Sequence, residues 1–174
     1  MRVVPVIRTQ RLLLRPVADV DAVAVTEACS DPYIALYMPV IASPYRLADA
    51  HAFISESAKA WEAATEATFA IVDAGSEEVL GVIGVGLSDD EAVGYWIAPG
   101  ARGRSLATEA LRAVVDWIRT AHGVHRLWLA THPDNVASQR VADKAGFRRQ
   151  PGTVEHIPFR DGQHRALRFD RAAD

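Results

Sequence analysis

The sequence predicts an α/β fold in which about four helices cover a mixed central sheet of about seven strands. Segments with apolar residues at strand spacing and at helical spacing follow one another in the order βααβββαβαββ. One apolar strand passes through a turn rich in Gly and Arg into an amphipathic helix. The last two strands flank Asp161-Gly162, a tight-turn sequence, and so predict a hairpin. With 174 residues, the chain is expected to form one domain over residues 1–174.

The first part of the chain predicts four strands and two helices. In order, these are strand Arg11–Val17, helix Asp19–Ala28, helix Leu47–Ala64, and strands Thr68–Val72, Val79–Leu87 and Ala92–Ala98. Residues 31–44 are expected to be irregular because Pro32, Pro39 and Pro44 interrupt them. The second helix carries an apolar stripe at helical spacing, made of Ala50, Phe53, Ile54, Ala58 and Trp61.

The rest of the chain predicts two helices and three strands. In order, these are helix Ser105–Ala121, strand Arg126–Thr131, helix Val136–Ala145, and strands Phe147–His156 and His164–Asp170. The first of these helices is strongly amphipathic. Its expected buried face contains Ala107, Leu111, Val114, Val115 and Ile118, and its expected water-facing residues are Glu109, Arg112, Asp116 and Arg119.

Composition excludes several classes of function. No apolar run approaches 18 residues, so no membrane span is expected. Residues 1–10 lack the apolar stretch of a secretory signal, and Cys29 is the only cysteine, which together fit a reducing cytoplasm. The net charge of −3, with no basic run beyond Arg102/Arg104 and Arg148-Arg149, argues against nucleic-acid binding. No His, Cys or acidic residues have metal-ligand spacing, so no metal is expected.

The most informative segment is Val93–Ala110, which places Gly and Arg between a strand and a helix. The first amides of a helix lack intrahelical acceptors, and the helix dipole adds partial positive charge, so such a start can bind a phosphate. A dinucleotide site would need Gly-x-Gly-x-x-Gly and a nucleotide-triphosphate loop would need Gly-Lys-Ser/Thr. Neither pattern is present. An ordinary turn with solvated arginines remains an alternative.

Residues 102–107, Arg-Gly-Arg-Ser-Leu-Ala, resemble the acyl-CoA pyrophosphate loop of the GNAT acyltransferases, Arg/Gln-x-x-Gly-x-Gly/Ala. The chain departs from that pattern at Ser105, which is expected to replace Gly only if its φ is negative. Residues 132–147 resemble the later family motif, Asn-x-x-Ser followed by a helix and Gly-Phe. Residues 9–16 and 49–54 are similar to the branch that acetylates ribosomal-protein N-termini, the Rim-type branch.

The resemblance implies a GNAT fold in which the fourth and fifth predicted strands splay apart and the pantetheine arm of acetyl-CoA, the co-substrate, fills the gap. Backbone groups at Tyr95, Trp96 and Ile97 would pair with that arm, and one amide would polarise the thioester carbonyl. The side chains of Tyr95 and Trp96 are alternatively plain packing. The implied acetyl-CoA-binding residues are Tyr95, Trp96, Ile97, Arg102, Gly103, Arg104, Ser105, Leu106, Ala107, Thr108, Asn135 and Ser138.

Two catalytic roles follow from the same resemblance. Ser138 is the candidate that protonates the departing CoA thiolate, and Asn135 caps the helix and contacts the pantetheine. Each has a plain structural alternative as a helix residue or cap. The position seven residues after Asn135, where other branches place a Tyr acid, is Ala142.

The general base is open between Glu91, His132, Glu155, and deprotonation by water or by the substrate itself. The last option is available because an α-amine, with a pKa near 8, is already partly neutral at pH 7–8.

The expected function is acetyl-CoA-dependent N-acetyl transfer by direct attack of a primary amine on the thioester. The acceptor is a protein N-terminus or a small-molecule amine, and a homodimer is a family-level expectation. The alternative is a non-catalytic acyl-CoA-binding sensor or interaction module of the same fold.

Overall fold

The computed structural model describes residues 5–172, and its centre is one mixed sheet of eight strands in the order β1-β2-β3-β4-β5-β6-β8-β7. The strands are β1 Ile7–Arg8, β2 Leu12–Pro16, β3 Glu66–Asp73, β4 Val79–Gly86, β5 Glu91–Ile97, β6 Arg126–Thr131, β7 Arg148–Glu155 and β8 Arg165–Ala172. The predicted α/β fold with a mixed sheet is confirmed, with one strand more than expected. The extra strand is β1, a short edge paired with Leu13 and Leu14 of β2.

Five α-helices lie on the two faces of the sheet in the described part of the chain. They are α1 Ala22–Cys29, α2 Pro32–Tyr37, α3 Leu47–Glu62, α4 Leu106–His122 and α5 Val136–Lys144. None of them is long and apolar enough to cross a membrane.

Helix α2 corrects the expectation that residues 31–44 are irregular throughout. Pro32 occupies its first turn, where the missing N–H costs nothing and the fixed φ suits a helix. The Asp31 carboxylate caps the helix by accepting from the backbone N–H groups of Tyr33 and Ile34 at 2.8 and 3.1 Å. The proline therefore starts a helix here instead of preventing one.

Two hydrophobic cores hold the layers together. The first lies between the sheet and helices α4 and α5. It contains four of the five residues predicted for the buried face of α4, and the fifth, Ala107, is also buried. The second lies between the opposite face of the sheet and helices α1, α2 and α3. On α3 the predicted stripe holds for Ala50 and Ile54, which are buried, but Ala58 is exposed.

The sheet is open between β5 and β6, the two strands predicted to splay. They are the only parallel neighbours among the described strands, and they pair only at Glu91 with Leu127 and at Ala92 with Trp128. Beyond these pairs β5 stays bound to β4 and β6 stays bound to β8. The strands therefore separate toward their carboxyl ends, and the predicted splay is confirmed.

Glu109 on α4 does not face water as expected. Its carboxylate accepts hydrogen bonds from the Thr9 hydroxyl at 2.5 Å, from Arg11 N–H at 3.0 Å and from Arg11 Nε at 2.7 Å. These contacts tie the segment before β2 to the first turn of α4, where a negative charge also interacts favourably with the helix dipole. The start of α4 is thereby fixed against the sheet.

Replacing Glu109 by Ala is expected to lower the free energy of unfolding by about 1 to 3 kcal/mol, because three hydrogen bonds to a charged acceptor are lost. Denaturant unfolding of the variant and the parent protein measures the difference. Glu27→Ala is the matched control, since Glu27 is an exposed helical glutamate on α1. An effect no larger than that of the control would contradict the assigned role of Glu109.

Candidate functional site

The gap between β5 and β6 opens into a cavity of about 340 Å³. Its walls come from both strands, the loop before α4, the first turns of α4 and α5, and helix α2. The structure brings most of the predicted site residues into this one cavity: Tyr95, Trp96, Ile97, Arg102, Gly103, Ser105, Leu106, Ala107, Thr108, His132, Asn135 and Ser138. Arg104, Glu91 and Glu155 are not among the lining residues.

Strand β5 presents unpaired backbone groups to the gap. Ala98 N–H donates to Leu80 O at 2.8 Å, so Ala98 turns its backbone toward β4. Backbone direction alternates along a strand, so Trp96 also faces β4, whereas Tyr95 and Ile97 face the gap. Two of the three predicted positions thus direct N–H and C=O groups where a further strand would lie. Of these groups, the Ile97 carbonyl accepts from Arg102 Nε at 3.3 Å. The indole of Trp96 packs in the second core.

The loop before α4 adopts a left-handed turn at two residues. Gly103 has a φ of 76° and Ser105 has a φ of 60°. The expectation that Ser105 would need a negative φ is therefore wrong: Ser105 occupies the conformation that favours glycine, in which a side chain costs roughly 1–2 kcal/mol. The loop keeps the backbone path of a glycine turn with a serine in it.

This conformation leaves a row of amides without acceptors. Within residues 5–172 no group accepts from the backbone N–H of Gly103, Arg104 or Ser105. The N–H groups of Leu106, Ala107 and Thr108 belong to the first turn of α4 and have no intrahelical acceptor. Together with the positive end of the helix dipole, they form a cradle suited to a phosphate or diphosphate.

The two loop arginines have different surroundings. Arg102 pairs with the Asp31 carboxylate at 3.2 Å and lies over the Tyr33 ring, 4.6 Å from its centroid. Although partial burial acts in the opposite direction, Arg102 and the α2 amides lower the pKa of Asp31. Arg104 is half exposed and its nearest carboxylate is Asp73, at 4.0 Å. Arg102 therefore joins the loop to α2, and Arg104 remains accessible at the surface.

Asn135 and Ser138 lie on the far side of the gap at the start of α5. The Asn135 Oδ1 accepts from Ser138 N–H and from the Tyr33 hydroxyl, both at 3.1 Å. The Ser138 hydroxyl lies 2.9 Å from the Tyr95 hydroxyl of β5. Burial raises the pKa of Tyr95 to about 12, so its phenol is neutral at physiological pH. A chain of hydroxyl and amide groups thus crosses the gap.

His132 is buried at the end of β6, and its two ring nitrogens have different surroundings. Nδ1 accepts from Asp134 N–H at 3.0 Å, so a neutral ring carries its proton on Nε2. Nε2 lies 3.0 Å from the Asp161 carboxylate, although the angle is poor for a hydrogen bond. The amide of Gln163 first, and His132 as well, lower the pKa of Asp161. In this tautomer His132 has no free lone pair for a substrate.

His132, Asp134 and Asp161 form the one cluster of possible metal ligands between residues 5 and 172. Their ligand atoms lie within 4.8 Å of one another. The His132 ring is buried and the two carboxylates are exposed. Sequence spacing did not indicate this cluster because β6 and the β7–β8 loop are distant in the chain.

The two glutamate candidates for the base lie away from the cavity. Glu91 is at the opposite end of β5 from the loop and accepts from the Ser88 hydroxyl at 2.7 Å. Glu155 is exposed on β7, where the Thr153 hydroxyl and then Arg165 lower the pKa of its carboxyl. The described residues that line the cavity include no carboxylate at all.

Sequence reasoning missed three contributors to the site: Asp31, Tyr33 and the hydroxyl of Tyr95. Asp31 and Tyr33 fell in the segment expected to be irregular, where Asp31-Pro32 is a recognisable helix start. The contact between Tyr95 and Ser138 joins residues far apart in the chain, so no local pattern could indicate it.

Comparison with known proteins agrees with this geometry. A family model described as acetyltransferase (GNAT) domain matches residues 11–148. The uncharacterized N-acetyltransferase YoaA of Bacillus subtilis is 25% identical over 162 residues, which are 91% of this chain and 90% of YoaA. Overall the chain spans between 56% and 90% of the length of the curated relatives that it matches.

Solved structures share the fold over nearly the whole chain. RimL, a ribosomal L7/L12 alpha-N-protein acetyltransferase in complex with coenzyme A, has a TM-score of 0.87 at 15% identity, covering 98% of this chain and 99% of RimL. Mycobacterium smegmatis RimJ in complex with CoA-disulfide has a TM-score of 0.83 at 22% identity, covering 98% and 87%.

Replacing Ser105 by Gly is expected to raise the free energy of unfolding by about 0.5 to 1 kcal/mol, because relief of the left-handed strain exceeds the entropy cost of glycine. Thermal or denaturant unfolding measures the change. Ser55→Gly is the control: Ser55 is an exposed residue inside helix α3, where φ is negative, so the same substitution there should destabilise. If both variants lose stability equally, the positive φ assigned to Ser105 is wrong.

Proposed function

The chain belongs to the GNAT acetyltransferase family, and from that premise we propose that it transfers an acetyl group from acetyl-CoA to a primary amine by direct attack of the amine on the thioester. The observation that carries this proposal is the open edge of β5 beside a row of free amides, both facing one cavity. RimL and RimJ, which share the fold, were solved with CoA species. We further infer that residues 1–174 act as a single domain.

The cavity residues fit acetyl-CoA as a substrate. The amides of residues 103–108 would hold the diphosphate, and a phosphate there would satisfy donors that otherwise lack a partner. Ser105 would add a hydroxyl donor, and Arg102 or Arg104 would add positive charge. The amides of Tyr95 and Ile97 and the carbonyl of Tyr95 would pair with the pantetheine arm as a neighbouring strand does, while the Ile97 carbonyl accepts from Arg102.

Acyl transfer also needs donors for the negative charge that develops on the carbonyl oxygen and on the sulfur. A backbone N–H of β5 is fixed before the reaction, and one such donor is typically worth about 2.7–4 kcal/mol in the transition state. On the other side of the gap, the Ser138 hydroxyl serves the departing sulfur. Asn135 fixes the backbone of Ser138 through its 3.1 Å hydrogen bond and caps α5.

The cavity lining contains no carboxylate, and neutral His132 has no free lone pair because Nδ1 accepts from Asp134 N–H. Both observations favour an acceptor that loses its proton without a strong base. An α-amine has a pKa near 8, against about 10.4 for a lysine side chain. We therefore favour the N-terminus of a protein or peptide as acceptor. A small-molecule amine of similarly low pKa is the alternative.

The first experiment is a thiol-release assay with acetyl-CoA and a panel of peptides with free N-termini, polyamines and aminoglycosides, run beside calorimetric titration of CoA. Turnover on one class of amine with measurable CoA binding supports the proposal and identifies the acceptor. Binding without turnover on any amine would favour an acyl-CoA sensor, and absence of binding would overturn the assigned loop.

The pH dependence of kcat/KM is expected to follow the acceptor and not the enzyme. With a peptide N-terminus, kcat/KM should rise with pH and level off near the α-amine pKa of about 8, because only the neutral amine attacks. With an acceptor of lower pKa, such as a fluorinated amine, kcat/KM should level off at a lower pH. A midpoint that stays the same for both acceptors would indicate an enzyme base instead.

Ser138→Ala is expected to lower kcat about tenfold, the effect of losing one hydrogen bond that is made in the transition state, while CoA affinity changes less than about twofold. Ser57→Ala is the control, since Ser57 lies on α3 outside the cavity. A loss of CoA affinity with unchanged kcat would place Ser138 in binding alone.

A further inference from the structure

We propose that Tyr95 is a positioning residue for acetyl transfer: its phenol donates a hydrogen bond to Ser138 and so directs the Ser138 hydroxyl toward the departing sulfur. This inference rests on the proposed function, and it adds a role for the Tyr95 side chain that is separate from the backbone of β5. The two residues belong to elements on opposite sides of the gap, and their hydroxyl oxygens are 2.9 Å apart.

The surroundings fix the geometry of this pair. Tyr95 extends from β5, whose register is set by pairing with β4. Ser138 is held at the start of α5, where the Asn135 side chain accepts from its backbone N–H. Both residues line the cavity. Two hydroxyl groups on independently anchored elements therefore meet at the inner wall of the site.

The direction of the hydrogen bond follows from acidity. A phenol is more acidic than an aliphatic alcohol, so Tyr95 is the stronger donor and Ser138 the stronger acceptor. In residues 5–172 the Ser138 hydroxyl has no hydrogen-bond partner other than Tyr95. If it accepts from Tyr95, its own proton is free to point into the cavity. Hydrogen bonds in such a chain polarise one another, which makes Ser138 a stronger donor.

The bonds and protons exchanged in acetyl transfer define the role of the Tyr95–Ser138 pair. The amine nitrogen forms a bond to the carbonyl carbon, the C–S bond breaks with its electron pair on sulfur, and the ammonium proton passes to solvent. A thiol has a pKa of about 8.5, well below that of a buried phenol. Transfer of a proton from Tyr95 through Ser138 to the thiolate would be uphill. The pair therefore stabilises the thiolate by a hydrogen bond and keeps both of its protons, in place of the proton transfer that the family resemblance implies for Ser138.

A double-mutant cycle tests whether Tyr95 acts through Ser138. Tyr95→Phe alone is expected to lower kcat about threefold to tenfold, with KM for acetyl-CoA within about twofold. In a Ser138→Ala background the same change should lower kcat by less than about twofold, because the group it acts on is gone. Equal losses in both backgrounds, or a change in KM alone, would overturn the inference.

A second measurement does not depend on turnover. The thiolate absorbance of bound CoA, followed against pH, reports the thiol pKa in the complex. That pKa should be lowest in the parent protein and higher in Tyr95→Phe and in Ser138→Ala. The other charged or titratable side chains lining the cavity are common to all variants: Tyr33, Tyr37, Arg102, His132, Arg140 and Lys144.

Tyr45→Phe is the matched control, because burial also raises the pKa of Tyr45 to about 12 while Tyr45 packs against the second core, away from the cavity. It should leave both kcat and the thiol pKa unchanged. If CoA binds and its thiol pKa is the same in the parent and in Tyr95→Phe, the role of Tyr95 is wrong whatever the acceptor. If the thiol pKa shifts as expected but no amine is acetylated, the proposed function fails and the hydrogen-bond pair stands.

Discussion

The site depends on one interruption in backbone pairing, the early end of the ladder between β5 and β6. Unpaired N–H and C=O groups inside a protein are costly unless water or a ligand satisfies them. Here each strand is held on its outer side, β5 by β4 and β6 by β8, so neither can move to close the gap. The cavity is therefore built into the sheet, and its free backbone groups favour a ligand that pairs like a strand.

The mouth of the gap is equally constrained. The loop after β5 turns through left-handed residues at Gly103 and Ser105, which aligns successive amides toward one point. Arg11 supports this turn by donating to the carbonyl of Arg104 at 3.0 Å, while Glu109 holds Arg11 in place. On the other side, Arg102 links the loop to Asp31 at the start of α2. A preformed cradle of this kind loses little conformational entropy on binding an anion.

Sequence patterns predicted those parts of the fold that depend on local periodicity. The buried face of α4 follows from its 3.6-residue repeat, and strands β2 to β6 follow from apolar runs between turns. The hairpin of β7 and β8 is indicated by the turn residues Asp161-Gly162, since β7 itself is mostly polar. The patterns failed where one residue type is compatible with two different local structures. A proline can interrupt a helix or begin one, and Pro32 begins α2. The helical repeat of α4 predicts that Glu109 faces water, but Glu109 is bound by Arg11. The backbone angle of Ser105 is set by the loop around it, so residue type alone predicted the wrong sign.

For the site, the phosphate-loop and Asn-x-x-Ser motifs identified residues that the fold does bring to one cavity. The sequence does not identify the general base, because the choice depends on which candidate side chains lie at the cavity in the folded protein. Glu91 and Glu155 lie away from the cavity, and Nδ1 of His132 accepts from Asp134 N–H. The pairing of Tyr95 with Ser138 likewise needs the three-dimensional arrangement of β5 and α5.

The most direct test of the binding site is residue-resolved amide hydrogen exchange with and without CoA. We expect slower exchange at Tyr95 and Ile97, where the arm would pair, and at residues 103–108, where the diphosphate would bind. Trp96, whose backbone faces β4, should change little and provides an internal control. Protection elsewhere in the chain with no change at Tyr95 and Ile97 would contradict the claim that the open edge of β5 is the binding site.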